Sequence, residues 1–141
     1  MNPKQLGILG ERITLNYLKN KGYKILDKNY SPGFVSGPKR GEIDIVAKRG
    51  DIISFVEVKT LISQSNENLD NSRSRTISTE SFSPEERVDY LKQKKLIKTA
   101  QSWLMEKKIS SETKWQIDVL AIKIDLNSKK AKIRHLKNIT Y

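Results

Sequence analysis

The sequence predicts an α/β fold: one domain over 1–141 with a mixed central sheet of about five strands flanked by two long helices. Three observations predict it. Two long segments carry apolar residues at helical spacing. Several short segments alternate or run apolar as strands do. Their order along the chain is αβββαβ(β), with no repeat and no linker-separated second domain.

Residues 3–21 place Leu6, Leu9, Ile13 and Tyr17 at spacings of three and four, and Ile8, Glu11, Leu15 and Leu18 follow the same rhythm. Glu11 is the one charge on either row. Lys21-Gly22 ends the helix, with glycine where a C′ residue is expected. Residues 23–30 read as a near-edge strand of mixed pattern. Pro32, Gly33, Gly37, Pro38 and Gly41 make 31–41 a loop. Residues 42–48 form a second strand, with Ile43, Ile45 and Ala47 on one face and Glu42, Asp44 and Val46 on the other. Arg49-Gly50-Asp51 turns the chain into a third strand, 52–60. The polar stretch 61–82 lacks any sustained period and reads as a long loop. Ser83-Pro84-Glu85-Glu86 has the form of a capping box and opens a helix to about Lys108, with Val88, Leu91, Leu96, Ala100, Trp103 and Leu104 as its stripe. Residues 115–124 are apolar on both faces, a central strand. Asn127-Ser128 turns into an edge strand at 130–139.

Composition narrows the function. There is no cysteine and a single histidine, His135, so disulfide scaffolds, thiol nucleophiles, iron–sulfur clusters and multi-histidine zinc sites are excluded. No apolar run approaches the roughly 20 residues of a membrane span, and 1–12 does not read as a signal peptide. The expectation is a soluble cytoplasmic protein with no membrane partner. Lys and Arg number 27 against 16 Asp and Glu, a net +11, and the excess sits in the periodic segments, since 61–82 holds two basic and three acidic residues. A basic folded domain points to a polyanion, most simply nucleic acid.

Chemistry concentrates in Gly41-Glu42-Ile43-Asp44 and Phe55-Val56-Glu57-Val58-Lys59-Thr60. Alternation puts Glu57 and Lys59 on one side of their strand with Ile53 and Phe55, beside a core layer where charges are costly unless paired or used. The hairpin sets Asp44 alongside, its carboxyl able to face Glu57. Two carboxylates held together repel, and a hard divalent cation, Mg2+ or Mn2+, resolves the conflict. Asp44, Glu57 and the backbone carbonyl of Val58 are the candidate metal ligands. Lys59 is the candidate group for orienting water or stabilising charge on a phosphate, and Glu11 is a candidate fourth member. The competing reading of Glu57 and Lys59 is a surface ion pair contributing under about 1 kcal/mol.

The pattern Asp-(x)n-Glu-x-Lys after an αβ start resembles the PD-(D/E)xK, or restriction-endonuclease-like, nuclease superfamily. Gly10-Glu11, Tyr17-Leu18, Gly22-Tyr23, Gly41-Glu42-Ile43-Asp44, Phe55–Thr60, Lys95, Ala100, Trp103-Leu104 and Asp118-Val119 together resemble the YraN-type family of small bacterial endonuclease-like proteins. The resemblance implies a restriction-endonuclease-like fold, with Asp44, Glu57 and Lys59 as the catalytic core and Glu11 as an accessory acid. It further implies a metal-dependent endonuclease acting on DNA, with branched or junction DNA as the finer expectation and a homodimer as the arrangement suited to two strands. The proline of the superfamily name is absent, since Ile43 precedes Asp44. The alternative is a nucleic-acid-binding protein that keeps the fold and cuts poorly or not at all. A weaker third reading is an RNA-associated basic domain without metal.

Candidate nucleic-acid contacts are Lys39, Arg40, Arg73, Arg75, Lys94, Lys95 and Lys98. The lysines cluster with Lys92 on the second helix, where a solvated basic face is the competing reading. Asp118 reads either as a contact to a partner of the metal site or as an acceptor for backbone groups. His135 reads as a surface residue, and Trp103 and Trp115 as core.

Overall fold

The computed structural model describes residues 2–33, 41–63 and 88–140. The order is α1 (Pro3–Asn20), β1 (Lys24–Tyr30), β2 (Ile43–Arg49), β3 (Ile52–Ser63), α2 (Tyr90–Glu106), β4 (Lys114–Asp125) and β5 (Lys130–Leu136). The strands form one sheet in chain order, β1-β2-β3-β4-β5. Only β3 and β4 run parallel, in unbroken register from Ile52↔Lys114 to Ser63↔Asp125, and α2 lies in the connection that parallel pairing requires. This is the mixed α/β sheet with flanking helices that the sequence predicts, and it is compatible with a restriction-endonuclease-like fold.

The helices cover opposite faces. Under α2, Leu96, Ala100 and Trp103 pack with Val46, Ile53, Phe55, Ile117 and Val119. Trp103 and Trp115 meet the Phe55 ring edge-on at 5.5 and 5.7 Å. Trp103 Nε1 donates to Asp27 Oδ2 at 2.9 Å, so its polar edge is satisfied as its ring is buried. Under α1, Leu18 and Tyr23 pack with Ile45, Ala47, Val56 and Leu120.

Local chemistry sets the ends of α1. Asn2 and Gln5 exchange side-chain and backbone hydrogen bonds in a capping box. At the other end Gly22 takes φ 91°, Gly22 N–H donates to Lys19 O and Tyr23 N–H to Leu18 O, the paired bonds of a Schellman stop. The buried line of α1 is Gly10, Thr14 and Leu18; of the two apolar rows only Leu18 is fully buried, and Ile8 is 54% exposed. Close approach is the reason. A Cβ on Gly10 would collide with Thr60 Oγ1, and the Thr14 hydroxyl is satisfied by Gly10 O at 2.9 Å. Small residues thus let the helix lie on β3.

Several expectations shift. β3 continues to Ser63, because β4 remains beside it, so the loop expected at 61–82 does not begin at 61; its remainder lies outside the described residues. The second helix does not run unbroken from 84. Asp89 is extended, with ψ 173°, and caps a helix that starts at Tyr90 by accepting Lys92 N–H at 2.8 Å. The Ser83–Glu86 capping box lies outside the described residues. Leu91, expected on the buried stripe, is 76% exposed. The mixed pattern of β1 comes from a bulge between Ile25 and Asp27.

His135 is not a surface residue. Its side chain is 5% exposed, and its Nε2 lies 2.8 Å from Oδ2 of the fully buried Asp118. Asp118 Oδ1 also accepts from Gln116 Nε2 and from the Asn138 N–H, both at 2.9 Å. This carboxylate ties β4, β5 and the segment after β5 together. Asp118→Ala leaves its buried donors unpaired and is expected to cost roughly 3 kcal/mol, read as a lower urea midpoint with an unchanged slope.

Candidate metal and phosphodiester site

The site arises where two strands part. β2 and β3 pair from Arg49↔Ile52 to Ile45↔Val56 and no further, whereas β2 stays paired with β1 as far as Tyr30↔Ile43. Beyond Ile45 the strict alternation expected for 42–48 fails. Ile43 packs with the cluster under α2, while Ile45 and Ala47 lie under α1. The Val58 N–H, which would otherwise face an open edge, is taken by Asp44 Oδ2 at 2.8 Å. A carboxylate therefore replaces a ladder bond at the mouth of the opening. A strand residue presents its N–H and C=O to the same edge, so the Val58 carbonyl leaves β3 on the side of Asp44.

Asp44 stands between two cavities. One, of about 270 Å³, is lined by Gly41, Glu42, Asp44, Glu57, Lys92, Lys95 and Leu96. The other, of about 280 Å³, is lined by Asp44, Val58 and Thr60 from the sheet and by Lys4, Gly7, Ile8 and Glu11 from α1. Two glycines set these walls. Gly10 admits α1 to Thr60, and Gly41 lies so close to α2 that a Cβ there would collide with Thr99 Oγ1.

Burial, and next the neighbouring Glu57 carboxylate, push the Asp44 carboxyl up to about 7; the Val58 N–H pulls the other way, and Glu42 and Glu11 add smaller upward pushes. Lys59 is pulled below the ordinary lysine value, first by burial and then by the adjacent Lys92 ammonium, against the pull of Glu57 and Asp44. Lys92 Nζ lies 3.5 Å from Glu57 Oε1, with their side chains 41% and 11% exposed. Burial lowers Lys92, but Glu57, Lys59 and Asp44 together outweigh it and raise its pKa.

The expected residues thus fall into groups. Asp44 and Glu57 share one cavity, and Lys59 interacts with both. Glu11 faces Asp44 across the second cavity and accepts from Asn29 Nδ2 at 3.3 Å. Lys95 lines the first cavity. Lys94 is exposed, its Nζ 5.0 Å over the Tyr90 ring, and Lys98 is exposed. Lys39, Arg40, Arg73 and Arg75 lie outside the described residues. Lys92, for which the sequence favours a solvated basic face, also lines the first cavity. The signal was there: it stands one turn before Leu96 on the line through Ala100 and Trp103.

Among the described residues, no three His, Cys, Asp or Glu side chains cluster closely enough to form a metal cage. The donor set fits Mg2+ or Mn2+ in the manner such ions favour, two carboxylates with the remaining positions left to backbone carbonyl, water and phosphate oxygen. After burial, repulsion from Glu57 is the next cause of the raised Asp44 pKa, and a cation would relieve that repulsion.

The profile of the uncharacterised protein family UPF0102 matches residues 10–122. The chain is 38% identical over 136 residues to a UPF0102 protein of Alkaliphilus oremlandii, covering 96% of this chain and 97% of that one. It is 42% identical over 107 residues to one from Clostridium tetani, covering 76% and 70%. A Clostridium botulinum relative is 33% identical over 135 residues, covering 96% and 93%.

A pH prediction follows from Asp44. Its folded pKa lies above its ordinary 3.8, so its contribution to stability is complete below pH 3.8 and is lost as pH rises through about 7. In chelator-treated protein, Asp44→Asn should therefore gain melting temperature relative to wild type as pH rises across this window. A constant difference between the two would contradict the shift.

Proposed function

This chain belongs to the UPF0102 family, and from that premise and the geometry of the cleft we propose that it is a divalent-metal-dependent nuclease hydrolysing phosphodiester bonds in DNA. One observation carries the reading: Asp44 leaves the ladder to hold the Val58 N–H, which sets its carboxylate in one cavity with Glu57. A binding module has no use for two carboxylates facing a polyanion, because they repel phosphate unless a cation neutralises them.

In this reading Asp44, Glu57 and the Val58 carbonyl hold Mg2+ or Mn2+, with Glu11 as an accessory acid across the second cavity. A bound ion of this kind polarises phosphate oxygen and makes water more acidic. The chain's own groups do the rest. Lys59 gives up its proton more readily than an exposed lysine, so it is placed to take one from the attacking water. As an ammonium it steadies charge growing on the phosphate. The water oxygen would bond to phosphorus as Lys59 takes its proton, the bond from phosphorus to one sugar oxygen would break, and that oxygen would leave as the alcohol with a proton returned by the Lys59 ammonium or supplied by solvent water. Lys95 at the cavity rim, with Lys94 and Lys98 on the exposed face of α2, attracts the DNA backbone. The net charge of +11 favours the same partner. Selectivity for branched or junction DNA, a homodimer and a cytoplasmic site of action complete the proposal; no described helix is long and apolar enough to cross a membrane.

One observation favours the second reading, a DNA-binding protein that does not cut: Lys92 already supplies a positive partner to Glu57. Metal titration separates the two. Mn2+ should raise the melting temperature of wild type, by about 2.7 kcal/mol of stability at a hundredfold excess over Kd, and Glu57→Ala should abolish the rise. Identical melting of both proteins across the titration would remove the metal.

Lys59→Ala should retain Mn2+ and DNA binding while cleavage of linear, flapped or four-way DNA falls by about 10²- to 10⁴-fold. Equal cleavage by the two proteins would exclude Lys59 from the chemistry.

A further inference from the structure

We propose that Lys92 is a resident cation of the cleft, an ammonium that pairs with Glu57 in place of a divalent ion and that the ion must displace in order to bind. The inference rests on the proposed metal site and adds to it a competitor built into the chain.

Three observations carry it. First, Lys92 Nζ lies 3.5 Å from Glu57 Oε1, in the cavity that also exposes Asp44, so it stands against the carboxylates a metal would use. Second, helix electrostatics do not account for its position. Lys92 is in the first turn of α2, where the helix dipole disfavours a cation by about 0.3–1 kcal/mol, and that turn contains no acidic residue. Asp89 engages the Lys92 backbone N–H and leaves its ammonium to Glu57. Third, Lys92 stands one turn before the buried Leu96 on the side of the helix that faces the sheet, and it meets there a Glu57 carboxylate whose side chain is only 11% exposed, whereas a merely solubilising lysine would face away. Lys59 and Lys92 also crowd each other beside one carboxylate. An ion taking Glu57 would release Lys92 toward the cavity, where a phosphate is the natural partner for a freed ammonium.

Direct Mn2+ binding by calorimetry tests this on four proteins: wild type, Lys92→Met, Lys92→Arg and Lys95→Met. Lys95 lines the same cavity but makes no ion pair with a described residue, so its loss reports the general effect of removing one charge. Lys92→Met should bind Mn2+ at least about tenfold more tightly, equivalent to about 1.4 kcal/mol, and its metal-free melting temperature should fall. Lys92→Arg and Lys95→Met should bind as wild type does. If Lys92→Met binds no more tightly than wild type, or if Lys95→Met gains as much, the competitor is overturned while the metal site stands. If none of the four binds Mn2+, the metal reading fails and the inference with it. Should Lys92→Met not fold, the unaltered protein still decides. Mg2+ added to lysine-labelled wild type should shift the Lys92 side-chain resonance toward that of a solvated lysine and leave Lys94 in place, and an unmoved Lys92 signal at saturating Mg2+ would overturn the proposal.

Discussion

The hydrogen bond from the Val58 N–H to Asp44 Oδ2 is the constraint on which the rest of the cleft depends. A sheet that loses a strand pair partway along exposes backbone groups, and unpaired ones are costly where water is scarce. Here a side chain takes over the bond the ladder gives up, so the opening between β2 and β3 is held at a fixed place. The same bond fixes the carboxylate. Asp44 can neither turn to solvent nor retreat from Glu57 without freeing the Val58 N–H, which keeps its repulsion with Glu57 in place.

Around that anchor the architecture is a matter of approach distances. Gly10 lets α1 rest on Thr60, which brings Glu11 and Lys4 to one side of Asp44. Gly41 lets the start of β2 lie against Thr99, which brings Lys92 and Lys95 to the other. The hydrophobic layers under the two helices supply the rigidity, with Phe55 between two tryptophans directly below the residues that carry charge. The Asp118–His135 pair, farther along the sheet, links β4 to the edge strand β5 and contributes no group to either cavity. The polar cluster around Asp118 is thus separate from the charged groups of the cleft.

Much of this was legible in the residues. Strand alternation puts Glu57 with Phe55, the glycine turn marks the hairpin that carries Asp44 to it, and the capping residues mark α1. The parting of the strands was not legible, because alternation assumes a continuous ladder; this is why Ile43 appeared to belong with Ile45. Gly10 and Thr14 were passed over because hydrophobic periodicity scores large side chains, whereas close helix–sheet contact selects small ones. The stripe of α2 through Leu96, Ala100 and Trp103 is the buried one, but Leu91 is exposed and Lys92, one turn before Leu96, was read as part of a solvated face. His135 was misplaced because edge strands are usually exposed, whereas the rings of Tyr17 and Tyr23 lie against this side chain.

The central claim is that Asp44 and Glu57 hold a divalent cation at the point where β2 leaves β3. The most direct measurement is an anomalous-difference map from crystals of the protein grown with Mn2+. The account predicts a peak between these two carboxylates, within reach of the Val58 carbonyl. A map without density there, or with Mn2+ bound only elsewhere on the chain, would contradict it.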